Sequence, residues 1–466
     1  MVFSSVPFMY YFLPAVLIIY FLSPRFLKNT VLLISSLFFY GWGEPHSLLL
    51  IIVSIAIAYV SGILIDYYRG KGITKLFLAI SVCSNLGALL YFKYADFFIK
   101  NFNAATGMSI PLLKVALPIG ISFYTFQILS YTVDVYRGQA KLQKNPLKLA
   151  TYVTMFPQLI AGPIVRYTTV EEQLENRDYS FSKASLGVRR FVIGLGKKVL
   201  IANNLASFCA DFEASGEKSV LFYWIFAMAT ALQIYFDFSG YSDMAIGLGK
   251  ILGFDFLENF NYPFIASNVT EFWRRWHMSL GTWFRDYVYI PLGGNRVPFA
   301  RWIFNTFVVW FLTGFWHGAE WNFILWGLYF AVLLVAEKML LGKLLDKSRV
   351  ISVLYMLLVV PFSFILFNSV NLGDIAVNVK GMWGLLDIPF ISGEFLYYLK
   401  NYGVLLIVAA IGATPLPRRL YNKAAENAIG KKTVNVLEPL LIAAILMVAT
   451  AYLVDGSFNP FLYFRF

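Results

Sequence analysis

The chain of 466 residues is short of charge, histidine and cysteine, and each shortage excludes something. Asp, Glu, Lys and Arg make up only 14% of it, against roughly a quarter in soluble proteins, so a water-exposed globular surface is ruled out. The two cysteines, Cys83 and Cys209, both lie in apolar surroundings and supply neither a disulfide framework nor a metal-ligand spacing. They read as structural. No His-Glu-x-x-His pair and no Gly-x-Ser-x-Gly elbow occurs, which removes two common hydrolytic designs. Gly194-Leu-Gly-Lys-Lys and Gly247-Leu-Gly-Lys lack the full Gly-x-x-x-x-Gly-Lys-Ser/Thr pattern, so neither is a phosphate loop. No internal repeat is visible, which argues against inverted-repeat transporters. Few buried carboxylates and no charge pair at mid-membrane depth are expected, and this weighs against channels and transporters too.

What the chain has instead is apolar length. Hydrophobic residues make up 59% and aromatic ones 18%, with windows long enough to cross a bilayer from end to end. Such windows fall near 6–22, 30–41, 48–65, 76–92, 115–133, 149–164, 187–209, 220–238, 303–316, 321–341, 351–367, 403–416 and 438–454. The segments around Pro118, Pro157 and Pro163 read as re-entrant or broken helices, tolerated only where protein or a water-filled cavity surrounds them. The expectation is an all-α polytopic membrane protein, one domain over 1–466, with about eleven crossings plus re-entrant and interfacial pieces. Met1-Val-Phe-Ser-Ser-Val lacks a basic n-region and reads as the start of a first span rather than a signal peptide.

The net charge of +12 comes from short basic clusters between apolar runs, the positive-inside pattern rather than a nucleic-acid footprint. It places the N-terminus and residues 211–219 outside and 239–302 at the cytoplasmic face. That last segment is crowded with aromatics yet carries Arg274, Arg275, Arg285 and Asp286, a mixture suited to interfacial helices.

Three histidines occur in the whole chain. His317 stands in Gly314-Phe-Trp-His-Gly318 inside an apolar hairpin, where an ionisable group is costly to hold. Gly314 and Gly318 have the small-xxx-small spacing that lets a neighbouring helix approach, so His317 would line a narrow internal space. A desolvated neutral imidazole suits a general base, and the competing reading is a buried histidine bonded to a carbonyl. His277, in Glu271-Phe-Trp-Arg-Arg-Trp-His277, would share a helical face with Trp273 and Trp276, either assisting His317 or snorkelling at the interface. His46 reads as a loop residue. Arg274, Arg275, Arg285 and Arg296 are candidates to hold the phosphates of a cofactor arriving from the cytoplasm, because guanidinium forks match phosphate geometry.

These motifs resemble a known family. Glu271-Phe-Trp-Arg-Arg-Trp-His277-Met-Ser-Leu, followed by Trp-Phe-Arg-Asp-Tyr-Val-Tyr-Ile-Pro-Leu-Gly-Gly-Asn-Arg296, is similar to the signature of the membrane-bound O-acyltransferases (MBOAT), and within them to the alginate O-acetylation branch. Leu117–Tyr124, Phe156–Pro163, Phe236–Gly247 and the two chain ends, Met-Val-Phe-Ser-Ser and Phe458–Phe466, fit as well. The resemblance covers nearly the whole chain, is weakest over about 368–435, and has its core motifs in about 115–345. It implies a ring of tilted helices around a central tunnel, with His317 catalytic and His277 the second functional histidine. It also implies acetyl-CoA as a cytoplasmic acyl donor, no bound metal, a polysaccharide acceptor outside, and an extracytoplasmic esterase-like partner protein in a bacterial inner membrane. Independently of the resemblance, an activated thioester needs mainly a base and positioning, which the two histidines can supply. The alternatives are O-acetylation of peptidoglycan or another exopolysaccharide, and D-alanylation of teichoic acid from a carrier protein. A transporter or channel is the alternative of a different class.

Overall fold

The computed structural model describes residues 1–160 and 162–456; the C-terminal Phe458–Phe466 motif lies outside them. Among the described residues the secondary structure is helical and contains no strand. Eight helices among the described residues reach the length and hydropathy of a membrane crossing, from Ser47–Tyr67 to Ala428–Val454, with a shorter apolar helix at Phe8–Leu22. The other apolar segments expected to cross form helices that fall short of that length or hydropathy, among them Lys28–Gly41, Ile121–Arg137 and Phe299–His317. The protein is a multi-pass membrane protein.

The chain folds as two compact units, one made of Met1–Phe191 with Ser242–Leu257, the other of Val192–Tyr241 with Glu258–Phe466. In the first unit, helices Ser47–Tyr67, Thr74–Thr106 and Ile121–Arg137 pack together. Ile121–Arg137 is buried along almost its whole length, and its Thr132 hydroxyl lies 3.0 Å from that of Ser81. It starts after Gly120 at φ +75°, where an added Cβ would lie 2.7 Å from the Leu159 carbonyl oxygen, so that turn requires glycine. The proline-rich segment is broken as expected: the helix Pro146–Thr154 ends, and one turn at Phe156–Leu159 leads into irregular backbone. Protein groups satisfy it, with the Phe156 amide donating to Ser36 Oγ at 3.0 Å and the Tyr152 hydroxyl donating to the Val165 carbonyl at 3.0 Å.

Gly247, which opens the second Gly-x-Gly-Lys stretch, also finds its use. Gly187 and Gly247 meet backbone to backbone, an added Cβ on either lying 2.6 Å from the other's carbonyl oxygen. These are helix-crossing contacts. The expected long loop 239–302 starts later than the apolar pattern indicated, because the helix Val220–Ile251 continues well past residue 239. Its second half alternates polar and apolar residues that are buried alike. A polar interruption therefore did not mark its end.

The second unit carries the hairpin of Phe299–His317 and Trp321–Ala336. Its two helices touch through Gly314 and Gly327: a Cβ on Gly314 would lie 2.3 Å from Phe323 O, and one on Gly327 2.2 Å from Trp310 O. Gly318 plays a different part from the one its spacing suggested. It follows the helix in extended conformation, and the Phe323 ring covers it, 2.2 Å from where a Cβ would be.

Candidate active site

Both histidines of the aromatic motifs belong to the second unit, and their rings come within 6.5 Å centroid to centroid. Both are buried. His46 is exposed in a connection of the first unit, as its loop reading requires.

His317 is the last residue of Phe299–His317. Three rings stand edge to face around it: Trp316 at 5.0 Å, Trp326 at 5.0 Å and Phe367 at 5.2 Å. Trp316 precedes it on its own helix, and the other two come from elsewhere. Trp326 lies on the opposite helix of the glycine-packed hairpin, and Phe367 lies at the end of the helix Arg349–Asn368. The buried Asn322 amide donates to the carbonyls of both Phe367 and Ser369 at 3.0 Å, tying that helix end to the hairpin.

His277 is held differently, and here the expected shared helical face fails. The helix Val269–Arg275 stops before it, Trp276 is extended, and His277 takes the left-handed conformation at φ 43°, ψ 53° before Met278–Phe284 begins. A non-glycine residue in that region is strained by about 1–3 kcal/mol, and such strain gathers at functional sites. The three side chains consequently point to three places. Trp273 packs on Trp310 and Phe330, Trp276 on Phe260 and Phe364, and His277 on Phe238 at 4.6 Å and Trp316 at 6.0 Å.

The strained turn is clamped by backbone bonds. The Asn261 amide donates to Arg275 O at 2.9 Å, and the Met278 amide donates to Asn259 O at 3.0 Å, on either side of His277. Asn259 Oδ1 also accepts from the Ser279 amide and hydroxyl at 3.2 and 2.9 Å. Upstream, the Glu337 carboxylate reaches over from the hairpin's far end to accept from the amides of Val269 and Thr270, at 2.5 and 3.2 Å. A negative group at the start of a helix is favourable there, so Glu337 anchors the helix that leads into His277.

Neither nitrogen of His277 has a hydrogen-bond partner among the described residues, nor do the indole nitrogens of Trp273 and Trp326. Buried polar atoms of that kind call for an explanation, and a substrate's polar atoms supply one. Burial also pushes the His277 imidazole down to about 3, so it is neutral at physiological pH. The arrangement offers two imidazoles and two indole donors in a buried aromatic surround, the equipment for moving a proton and steadying a polar transition state.

The four arginines divide. Arg275 donates through Nε and Nη2 to Glu271 Oε1 at 3.0 and 2.8 Å and through Nη1 to Asn261 O at 3.1 Å. Burial alone would raise the Glu271 carboxyl, but bonds from Ser267 and Arg275 bring it down to about 2, keeping this pair charged. Arg285 is paired with Asp286 at 2.7 Å. Arg274 and Arg296 are exposed.

Sequence reasoning passed over Asn259, Glu337, Trp326 and the ion pair of Lys198 with Asp237. That pair corrects the expectation of no buried charge pair: it lies inside two candidate spans, with side chains 2% and 3% exposed. The signal was present as charged residues set into apolar runs, Lys197-Lys198, Asp237 and Glu337-Lys338.

Residues 140–370 match the MBOAT, membrane-bound O-acyltransferase family. The chain is 36% identical to the "Probable alginate O-acetylase" of Azotobacter vinelandii and 37% identical to that of Pseudomonas putida, each covering all of both chains. It is 34% identical to the peptidoglycan O-acetyltransferase of Helicobacter pylori over 83% of this chain and 80% of that one. With the paired histidines at its core, the chain belongs to the membrane-bound O-acyltransferases, and it is a membrane O-acyltransferase that works with an acyl donor.

Proposed function

We propose that the protein transfers acetyl groups from cytoplasmic acetyl-CoA for O-acetylation of an extracytoplasmic polysaccharide of the alginate type, with His317 as catalytic base. The observation that carries this reading is the pair of buried imidazoles at 6.5 Å, set among aromatic rings in a chain alike from end to end to alginate O-acetylases.

In the step so read, His317 takes the proton of an acceptor hydroxyl as its oxygen attacks the acyl carbonyl carbon. The carbonyl electrons move to oxygen, and in this reading the indole N–H groups of Trp273 and Trp326, which have no partner among the described residues, donate to that charge. Collapse expels the thiolate, which recovers the proton from the imidazolium. His277, neutral and held on a strained turn, positions the reacting groups. Arg274 and Arg296, exposed and without the carboxylate neighbours of Arg275 and Arg285, are the better candidates to meet donor phosphates. An extracytoplasmic esterase-like partner completes delivery to the polymer.

The test is His317→Ala in membrane vesicles given radiolabelled acetyl-CoA, with label in polymer as the readout. Loss of a general base lowers such rates about 100- to 10,000-fold. A wild-type rate at matched protein level rules out His317 as the base. Label entering peptidoglycan or teichoic acid instead of exopolysaccharide keeps the chemistry and changes the acceptor.

A further inference from the structure

Lys198 and Asp237 form an ion pair at 2.5 Å whose side chains are almost wholly buried. Removing two ions from water costs about as much as their attraction returns, so a buried pair is weak evidence for stability and asks for another reason. Its surroundings suggest one. Lys198 belongs to a π-helical turn, Lys197–Ala202, a local irregularity found frequently at functional sites. Asp237 lies midway along Val220–Ile251, in the turn that touches the His277 segment. On one side of it Tyr235 packs edge-on against Phe260 at 5.8 Å and Phe264 at 5.2 Å. On the other, Phe238 stands at 82° to the His277 imidazole, 4.6 Å away. Three residues further, Gly240 brings the backbones together: an added Cβ would lie 2.7 Å from Gly194 O and 3.1 Å from Lys198 N.

Six consecutive residues, Tyr235 to Gly240, therefore carry the ion pair, a close backbone approach and both aromatic contacts. Glycine contacts alone let two helices slide or rotate, whereas two buried opposite charges in contact are costly to draw apart. We propose that Lys198 and Asp237 are positioning residues: their contact fixes the rotation and height of Val220–Ile251 and thereby seats Phe238 against His277. The proposal rests on His277 belonging to the reaction site. It gives both charges a part in acyl transfer without contact to substrate.

The experiment compares Asp237→Asn, Lys198→Met and the apolar pair Lys198→Met with Asp237→Leu, each in the wild-type and in the His277→Ala background. Vesicles receive radiolabelled acetyl-CoA, and label in polymer gives kcat and the KM for acetyl-CoA. Misplacement by about 1 Å is worth up to about 100-fold, so kcat should fall roughly tenfold or more while KM stays within about twofold. In the His277→Ala background the same substitutions should change the residual rate by less than about twofold, because residues acting through one another are non-additive. Single variants break the buried ion pair and are checked for folding by size exclusion in detergent. The apolar pair leaves no charge behind and carries the test if they aggregate. Equal losses in both backgrounds, or full rate from the apolar pair, overturn the role proposed for Lys198 and Asp237 while leaving the site reading intact. A wild-type rate from His277→Ala overturns the site reading and this proposal together.

Discussion

The two histidines reach one place by opposite means. His317 sits at the end of a regular helix and is held by packing, through the Gly314–Gly327 crossing and three edge-on rings. His277 sits on a left-handed turn and is held by hydrogen bonds, from the Asn259–Asn261 clamp and from Glu337 at the start of its helix. Packing of helices tolerates small changes of polarity and resists changes of volume. A bonded, strained turn does the reverse. The comparison teaches that the two sides of the site should fail under different substitutions, even though their rings nearly touch.

The largest separation lies in the chemistry itself. If His317 moves the proton and His277 positions, His317→Ala lowers acetyl transfer about 100- to 10,000-fold and His277→Ala clearly less. Rates of label transfer at matched protein level decide the order, and an inverted order exchanges the two roles.

Next comes volume on the packed side. Gly327→Ala places a methyl 2.2 Å from Trp310 O, a backbone atom that cannot step aside, so the hairpin must part. Overpacking of this kind costs about 1–3 kcal/mol, read as a lower unfolding midpoint in detergent together with lost activity. Gly281→Ala on the His277 side is the control, since its nearest contact would be 3.8 Å away. Equal midpoints for the two variants would mean that the hairpin is looser than its backbone distances imply.

Charge on the bonded side follows. Glu337→Gln keeps shape but turns a carboxylate that accepts from Val269 and Thr270 into a neutral amide. The bonds lost to a charged acceptor are worth about 1.5–3 kcal/mol, and transfer should slow roughly tenfold with the hairpin intact. An unchanged rate would show that the helix leading to His277 needs no anchor from Glu337.

The contrast also explains how much was legible in advance. The His317 side could be read, because apolar periodicity and glycine spacing are local signals and the hairpin follows from them. The small-xxx-small reading found a close approach but named Gly318 where Gly327 completes it, since the partner glycine lies on the other helix. The His277 side was misread as one helical face. Its turn depends on bonds from Asn259 and Asn261 and a carboxylate at residue 337, contacts that no window of neighbouring residues contains. The same reason hid Lys198 and Asp237, visible as a charge beside Lys197 and a lone charge in apolar runs but paired only by the fold. It also hid the commitment of Arg275 to Glu271, which removes one of four phosphate candidates from easy use.

The smallest expected effect tests burial of His277 alone. Its imidazole is pushed by burial from an ordinary 6.5 down to about 3. Below about pH 6.5 the unfolded chain binds a proton that the folded chain refuses, so stability is complete above that pH and declines as pH falls toward the folded value. The slope approaches about 1.4 kcal/mol per pH unit, or on the order of 1–2 kcal/mol by pH 5. Carboxylates elsewhere titrate too, so the measurement is a difference between wild type and His277→Asn. Asparagine accepts the left-handed conformation that the turn requires and does not titrate. Unfolding midpoints followed from pH 7.5 to 5 should fall more steeply for wild type than for His277→Asn. Parallel curves would mean that His277 takes up its proton in the folded protein, and the neutral imidazole in the proposed site would have to be replaced by a charged one.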